Sequence, residues 1–319
     1  METGDKHSNE PHWERSILEK VALASIEEQR KARRWNNFFK IFIAAYLLLL
    51  LLISQAGSWS EKALTGRHTA LVELNGEISS DSIASADAVI TGLRAAFEDK
   101  TTAGVILRVN SPGGSPVQSA YIFSEIERLR KKYPNTPVYA VVQDICASGC
   151  YYAIAATDRI YASPGSIVGS IGVLMDGFGF VEGMKKLGIE RRLMTAGENK
   201  GILDPFSPLD AKSRQHAQIM LNDIHKQFID AVRQGRGNAL KPGKEIFTGL
   251  FWTGDRAKEL GLVDEFGSAG FVAREVIGAE DIVDYSVHEN IFQRLAERFG
   301  TAMGRSVASE LRLGAGTLR

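Results

Sequence analysis

The stretch "AGVILRVNSPGGSPVQSAYIFSEIERLRKKYPNTPVYAVVQDICASGCYY", residues 103–152, decides the fold. "AGVILRV" is a continuous apolar run short enough for a strand buried on both faces, and "PVYAVV" is a second. Between them "SAYIFSEIERLRKK" has apolar residues at helical spacing and a basic last turn, which predicts a helix. Buried strands alternating with amphipathic helices predict an α/β fold around a covered, largely parallel sheet. The pattern continues outward. "TALVELNGEI" reads as a strand stopped by Asn75-Gly76, and "SADAVITGLRAAFED" as a helix. Downstream, "RIYA", "SIVGSIGVLM" and "IERRLMTA" are expected strands, while "FVEGMKKLG" and "DAKSRQHAQIMLNDIHKQFIDAVRQGRG" are expected helices ending at glycines.

The 319 residues carry 38 basic and 38 acidic side chains, so the overall charge favours no nucleic-acid partner. The informative asymmetry is local. In "RKARRWNNFFKIFIAAYLLLLLLISQAGS", residues 30–58, five basic residues and no acidic one precede or enter an apolar block. Arg30, Lys31, Arg33, Arg34 and Lys40 predict a cytoplasmic N-terminus and an uncleaved signal anchor, with the chain after Ser58 on the far side of the membrane. A cleaved signal peptide is the rival, because Ser54-Gln55-Ala56 loosely fits a cleavage site, but an n-region of about forty residues is too long for one. The expected organisation is a cytoplasmic segment 1–37, a transmembrane helix 38–58, a linker 59–68, a folded domain 69–288 and a basic amphipathic helix 289–319. A short helix is expected within "ERSILEKVALASIEEQ" of the cytoplasmic segment.

Candidate chemistry lies at strand ends, where α/β sheets place their sites. After the first strand of the deciding stretch, Gly113-Gly114 allows backbone N–H groups to point inward as an oxyanion hole requires, with a plain tight turn as the alternative. Ser148, between the small residues Ala147 and Gly149, sits where a strand turns sharply into a helix, which suits either a nucleophile or a helix N-cap. Lys200, in "TAGENKGILDPF", can act as a general base only if apolar surroundings remove its charge. Ser163, Ser166 and Ser170 offer hydroxyls near strand ends. His68, His216, His225 and His288 stand in linker, helix and late-strand contexts, away from glycine-rich turns, so a Ser-His-Asp triad is not the expected reading. No metal-binding spacing and no cofactor motif is found. Cys146 and Cys150, four apart around Ser148, are expected to be small buried packing residues rather than a disulfide.

Together "VILRVNSPGGSPVQSA", "ICASGCYYAIAATDRIYASPGSIVGSIGV", "GENKGILDPFSPL" and "FWTGDRAKELGLVDEFGS" resemble, in order over roughly residues 69–270, the motifs of the signal peptide peptidase A family. These are the membrane-anchored Ser-Lys serine proteases of peptidase family S49, related to Clp protease and the crotonase fold. The resemblance implies repeated ββα units, Ser148 as nucleophile and Lys200 as general base. It also implies oxyanion donors at Gly114 and Gly149, with Ser170 orienting the lysine amine. It further implies a homo-oligomer in which serine and lysine come from adjacent subunits, with the Ala-rich segment after Ser148 buried in the oligomer's core. Two departures stand out: Cys150 where the family has a small glycine, and Phe247-Thr248-Gly249-Leu250 ahead of "WTG". The expected activity is cleavage of signal-peptide remnants and other extended apolar peptides at the periplasmic face of a bacterial inner membrane, without a cofactor. A crotonase-type acyl-CoA enzyme and a catalytically silent ring-forming scaffold are the alternatives.

Overall fold

The computed structural model describes residues 12–59, 66–241, 243 and 245–288. The expected C-terminal helix 289–319 and linker positions 60–65 lie outside the described residues. The chain divides into two units, Met1–Leu64 and Thr65–Arg319.

The first unit contains helix α1, His12–Trp59. Instead of a short helix followed by a separate apolar one, α1 runs without interruption, because no proline falls in it and its one glycine, Gly57, comes in the last turn. At 1.5 Å per residue it is about 70 Å long. Trp35, Phe38, Phe39, Ile41, Phe42, Ile43, Tyr46, Leu47 and Leu48 are exposed along it. Among the described residues no helix is long and apolar enough to cross a membrane.

The second unit is a mixed α/β sheet. Its strands are β1 (His68–Asn75), β2 (Thr102–Ser111), β3 (Val138–Ala147), β4 (Arg159–Ala162), β5 (Ile167–Gly169), β6 (Phe251–Thr253), β7 (Glu265–Phe266) and β8 (Ile282–Asp284). The main path is β6-β5-β3-β2-β1-β8, and β4 pairs with β3 and β7. Every pairing is parallel except β5 with β6. Parallel neighbours require crossovers. Helices α2 (Ala86–Glu98) and α3 (Pro116–Lys132) supply them, each capped at its start by a serine, Ser85 and Ser115, that accepts a backbone N–H. The legible repeat is therefore strand then helix.

Side-chain alternation assigns the two faces. Ala70, Val72, Leu74, Val105, Leu107, Val109, Ala140 and Val142 join the larger core. Their neighbours Leu71, Ile106 and Val141 point to the opposite face, where Val272, Ala273 and Ile277 cover them. The larger core also takes in helix α4 (Gly149–Ile154) and part of α6 (Ala211–Arg236). Cys150, Tyr151, Ala153, Ile154, Ala155 and Ala156 are all fully buried. The Ala-rich segment is thus apolar because this chain's own helices enclose it, not because a neighbouring subunit does. Gly235 of α6 fits directly against it, since a Cβ there would lie 1.9 Å from the Ala155 carbonyl oxygen.

Two expected strands are shortened or absent. In "SIVGSIGVLM" only β5 forms, because Gly169 (φ 114°) and Ser170 (φ 54°) turn the chain out of extended geometry. "IERRLMTA" forms no strand. Ile189, Leu193 and Met194 in it are exposed, and a strand without a neighbouring ladder leaves its backbone groups unpaired. Helix α5 (Val181–Lys186) forms as expected within this exposed segment.

Candidate active site

Three strand ends meet at one cleft. After β2 the chain passes through Ser111-Pro112-Gly113-Gly114 into α3. Gly113 (φ 103°) and Gly114 (φ 143°) both occupy backbone conformations that favour glycine. Ile78 donates to the Gly113 carbonyl and Ser115 donates to the Ile78 carbonyl, each at 2.8 Å. This parallel bridge turns the N–H of the intervening Gly114 away from Ile78. There is no room for a side chain: a Cβ on Gly114 would lie 2.2 Å from the Ile78 carbonyl oxygen.

After β3 comes the second turn. β3 extends past the expected "PVYAVV" as far as Ala147, since Cys146 pairs with Ser111 on one side and Val168 on the other. Ser148 follows with φ 54° and ψ −126°, a conformation an L-residue adopts only when its surroundings enforce it. Its N–H donates to the Gly169 carbonyl at 2.8 Å, and its carbonyl accepts the Tyr152 N–H at 3.1 Å. The side chain makes no capping hydrogen bond to α4. The N-cap alternative therefore fails, and Ser148 lines the cleft. The Gly149 N–H opens α4, where an amide has no partner within the helix. Gly149 lies directly beside Gly114, because a Cβ on Gly149 would be 3.2 Å from the Gly114 nitrogen.

Ser170 is the third contributor, held by donation of its N–H to the Leu250 carbonyl at 2.7 Å. The cleft, of about 620 Å³, is lined by Gly114, Ser148, Gly149 and Ser170 together with apolar Tyr152, Val173, Leu174, Ile224 and Phe228. Four of the five sequence-predicted site residues thus share one cavity. The fifth, Lys200, does not line it. Lys200 sits in an exposed turn, its N–H donating to the Gly197 carbonyl at 3.1 Å. Of the other serines, Ser166 is committed elsewhere, its hydroxyl donating to the Gln143 carbonyl at 2.5 Å.

One sequence reading needs correction. Cys146 and Cys150 form a disulfide, with Cα atoms 5.2 Å apart. Four residues of ordinary strand or helix would not aim their Cβ atoms at each other. The reversal at Ser148 does, by folding the first turn of α4 back beside the end of β3, and 5.2 Å lies within disulfide reach. His225, in the helical context its sequence indicates, also lines the cleft, although nothing in its local sequence connects it with a glycine turn. Its Nε2–H donates to the Ile171 carbonyl at 3.2 Å. The spacing of Ile224, His225 and Phe228 marks one face of α6, but which loop that face meets is a tertiary fact. Among the described residues no group of three or more His, Cys, Asp or Glu side chains is placed to hold a metal ion.

A serine held in a strained turn, sharing a cleft with Gly114, Gly149 and an apolar trough, suits acyl transfer. The sequence compares with known proteins accordingly. The profile of Peptidase family S49 matches residues 130–277. A candidate protease of Synechocystis, slr0021, is 32% identical over 210 residues, covering 66% of this chain and 73% of that protein. The Na(+)/H(+) antiporter NhaA of Brucella abortus is 44% identical over 186 residues, 58% of this chain but 25% of that protein. This chain therefore spans about a quarter of the Brucella relative's length. Among solved structures, a mutant of the 1510-N membrane-bound stomatin-specific protease matches with a TM-score of 0.43 and 14% identity, over 70% of this chain and 99% of that one.

Proposed function

Because the chain belongs to peptidase family S49, we propose that it is a serine endopeptidase in which Ser148 attacks the scissile carbonyl and Lys200 is the general base. The observation that carries this reading is the Ser148 hydroxyl, uncapped on its strained turn and sharing a cleft with Gly114 and Gly149. In the mechanism, neutral Lys200 takes the Ser148 proton as Oγ bonds to the carbonyl carbon. The Gly114 and Gly149 N–H groups receive the oxyanion, and Lys200 then returns the proton to the departing amine. Water hydrolyses the acyl-enzyme by the same route, and the Ser170 hydroxyl orients the lysine amine.

A lysine serves as a base only where apolar surroundings cover it, so Lys200 needs a desolvating partner. Its position outside its own chain's cleft supports a homo-oligomer in which one subunit's Lys200 serves the next subunit's Ser148. Exposed Leu174, Phe178, Leu187 and Met194 on the same segment support such a contact. The basic residues before the apolar run, and the exposed apolar side chains of α1, support an anchor at 38–58 with the catalytic unit on the periplasmic side of a bacterial inner membrane. The apolar trough favours extended apolar peptides, of which signal-peptide remnants beside a membrane are the natural class.

The test is hydrolysis of a fluorogenic signal-peptide-like substrate by the full chain, by Ser148→Ala, by Lys200→Ala and by an equimolar mixture of the two variants. Both variants are expected to be inactive, with the mixture regaining part of the activity. Full activity of Ser148→Ala would overturn the assignment. Two inactive variants whose mixture stays inactive after co-assembly would overturn the shared site.

A further inference from the structure

Resting on the reading of Ser148 as nucleophile, we infer that the Cys146–Cys150 disulfide is a positioning element for Ser148, which makes the site's reactivity depend on that bond being oxidised. The bond closes across the one residue on which the chemistry depends, joining Cys146, the next-to-last residue of β3, to Cys150 in the first turn of α4. Ser148 lies midway, at φ 54°. Among the described residues its backbone is held by one hydrogen bond at its N–H and one at its carbonyl, with the Gly113 backbone packed close to its Cβ. A relaxed Ser148 would turn its hydroxyl away from Gly114, which the Ile78 bridge holds, and would swing the Gly149 N–H, part of the same peptide unit, out of line with it.

Both cysteines are 0% exposed, so two unbonded sulfurs must find room inside a packed core. The space they need separates the strand end from the helix start and releases the turn. Reduction by a dithiol breaks the S–S bond, adds two electrons and two protons as two S–H groups, and leaves the dithiol as its own disulfide. Reactivity is thereby tied to a compartment in which protein disulfides persist.

The experiment compares the full chain isolated under reductant, with two free thiols counted after denaturation, and the same material after reoxidation. Each form is treated with a fluorophosphonate probe, and the inactivation rate constant is separated from the probe affinity. Circular dichroism reports whether each is folded. The expected result is at least about a tenfold slower inactivation step in the reduced form, with affinity within about twofold and the rate restored on reoxidation. The Cys146→Ala, Cys150→Ala double variant, which relieves the crowding, supplies the same comparison should the reduced chain unfold. It is expected to label slowly and not to respond to oxidant. Equal labelling of a folded reduced form and the oxidised form, with Ser148→Ala unlabelled, overturns this inference and leaves the serine reading intact. Labelling of Ser148→Ala at the wild-type rate overturns both.

Discussion

Gly113→Ala tests whether the two turns of the cleft act as one unit. A Cβ at position 113 would stand 2.6 Å from the Ala147 carbonyl oxygen, 2.7 Å from the Gly149 nitrogen and 2.8 Å from the Ser148 Cβ. Ordinary contact begins at 3.4 Å, so each neighbour must yield by about 0.6–0.8 Å. None of the three is the end of a flexible side chain; all belong to the turn that presents Ser148. At φ 103° the alanine is also strained in itself, a cost of about 1–3 kcal/mol. A displacement near 1 Å in a reacting group costs roughly 100-fold in rate, so labelling of Ser148 by a fluorophosphonate should slow by about 30- to 100-fold. Stability should fall by about 1–3 kcal/mol, read from the urea midpoint. Gly165→Ala is the control, since its Cβ would meet nothing within 4 Å. Wild-type labelling by Gly113→Ala would refute the argument that the Gly113 backbone supports the Ser148 turn.

Arg236 is buried, pairs with both oxygens of Asp264 at 2.8 Å and also donates to the Gly261 carbonyl. Arg236→Met should cost about 3–5 kcal/mol in urea unfolding, because Asp264 is left without its partner; Arg192→Ala, which breaks an exposed pair with Glu190, should leave the midpoint unchanged. Hydrogen bonds from Arg128, joined by Arg94 and opposed by burial, lower the Glu125 carboxyl from 4.5 to about 2. Its stabilising effect is complete above the unfolded carboxyl's range and is lost as pH falls towards 2, so Glu125→Gln should flatten the decline of the urea midpoint between about pH 5 and 2. Gly235→Ala should destabilise by at least about 1–3 kcal/mol, because α6 and the segment ending in Ala155 cannot separate cheaply; an unchanged melting temperature would refute that contact.

Local pattern was enough for much of this protein. The apolar runs of β1, β2 and β3 and the periodicity and serine caps of α2 and α3 are properties of neighbouring residues. They carry the α/β sheet, and with it the strand ends where Gly114 and Ser148 stand. The glycine pair announced a close backbone approach, and Ser148 between small residues announced a sharp turn. What those turns meet is set by residues distant in the chain. The Cys146–Cys150 bond depends on a backbone reversal that spacing alone does not reveal, and His225 reaches the cleft only because α6 packs across α4. The failed strand at "IERRLMTA" has strand-like composition, but a strand forms only where a neighbouring ladder accepts its hydrogen bonds, and among the described residues no strand pairs with it. The Ala-rich segment was legible as buried, whereas what buries it was not: sequence records a side chain's preference for leaving water, and only tertiary packing decides which surface receives it.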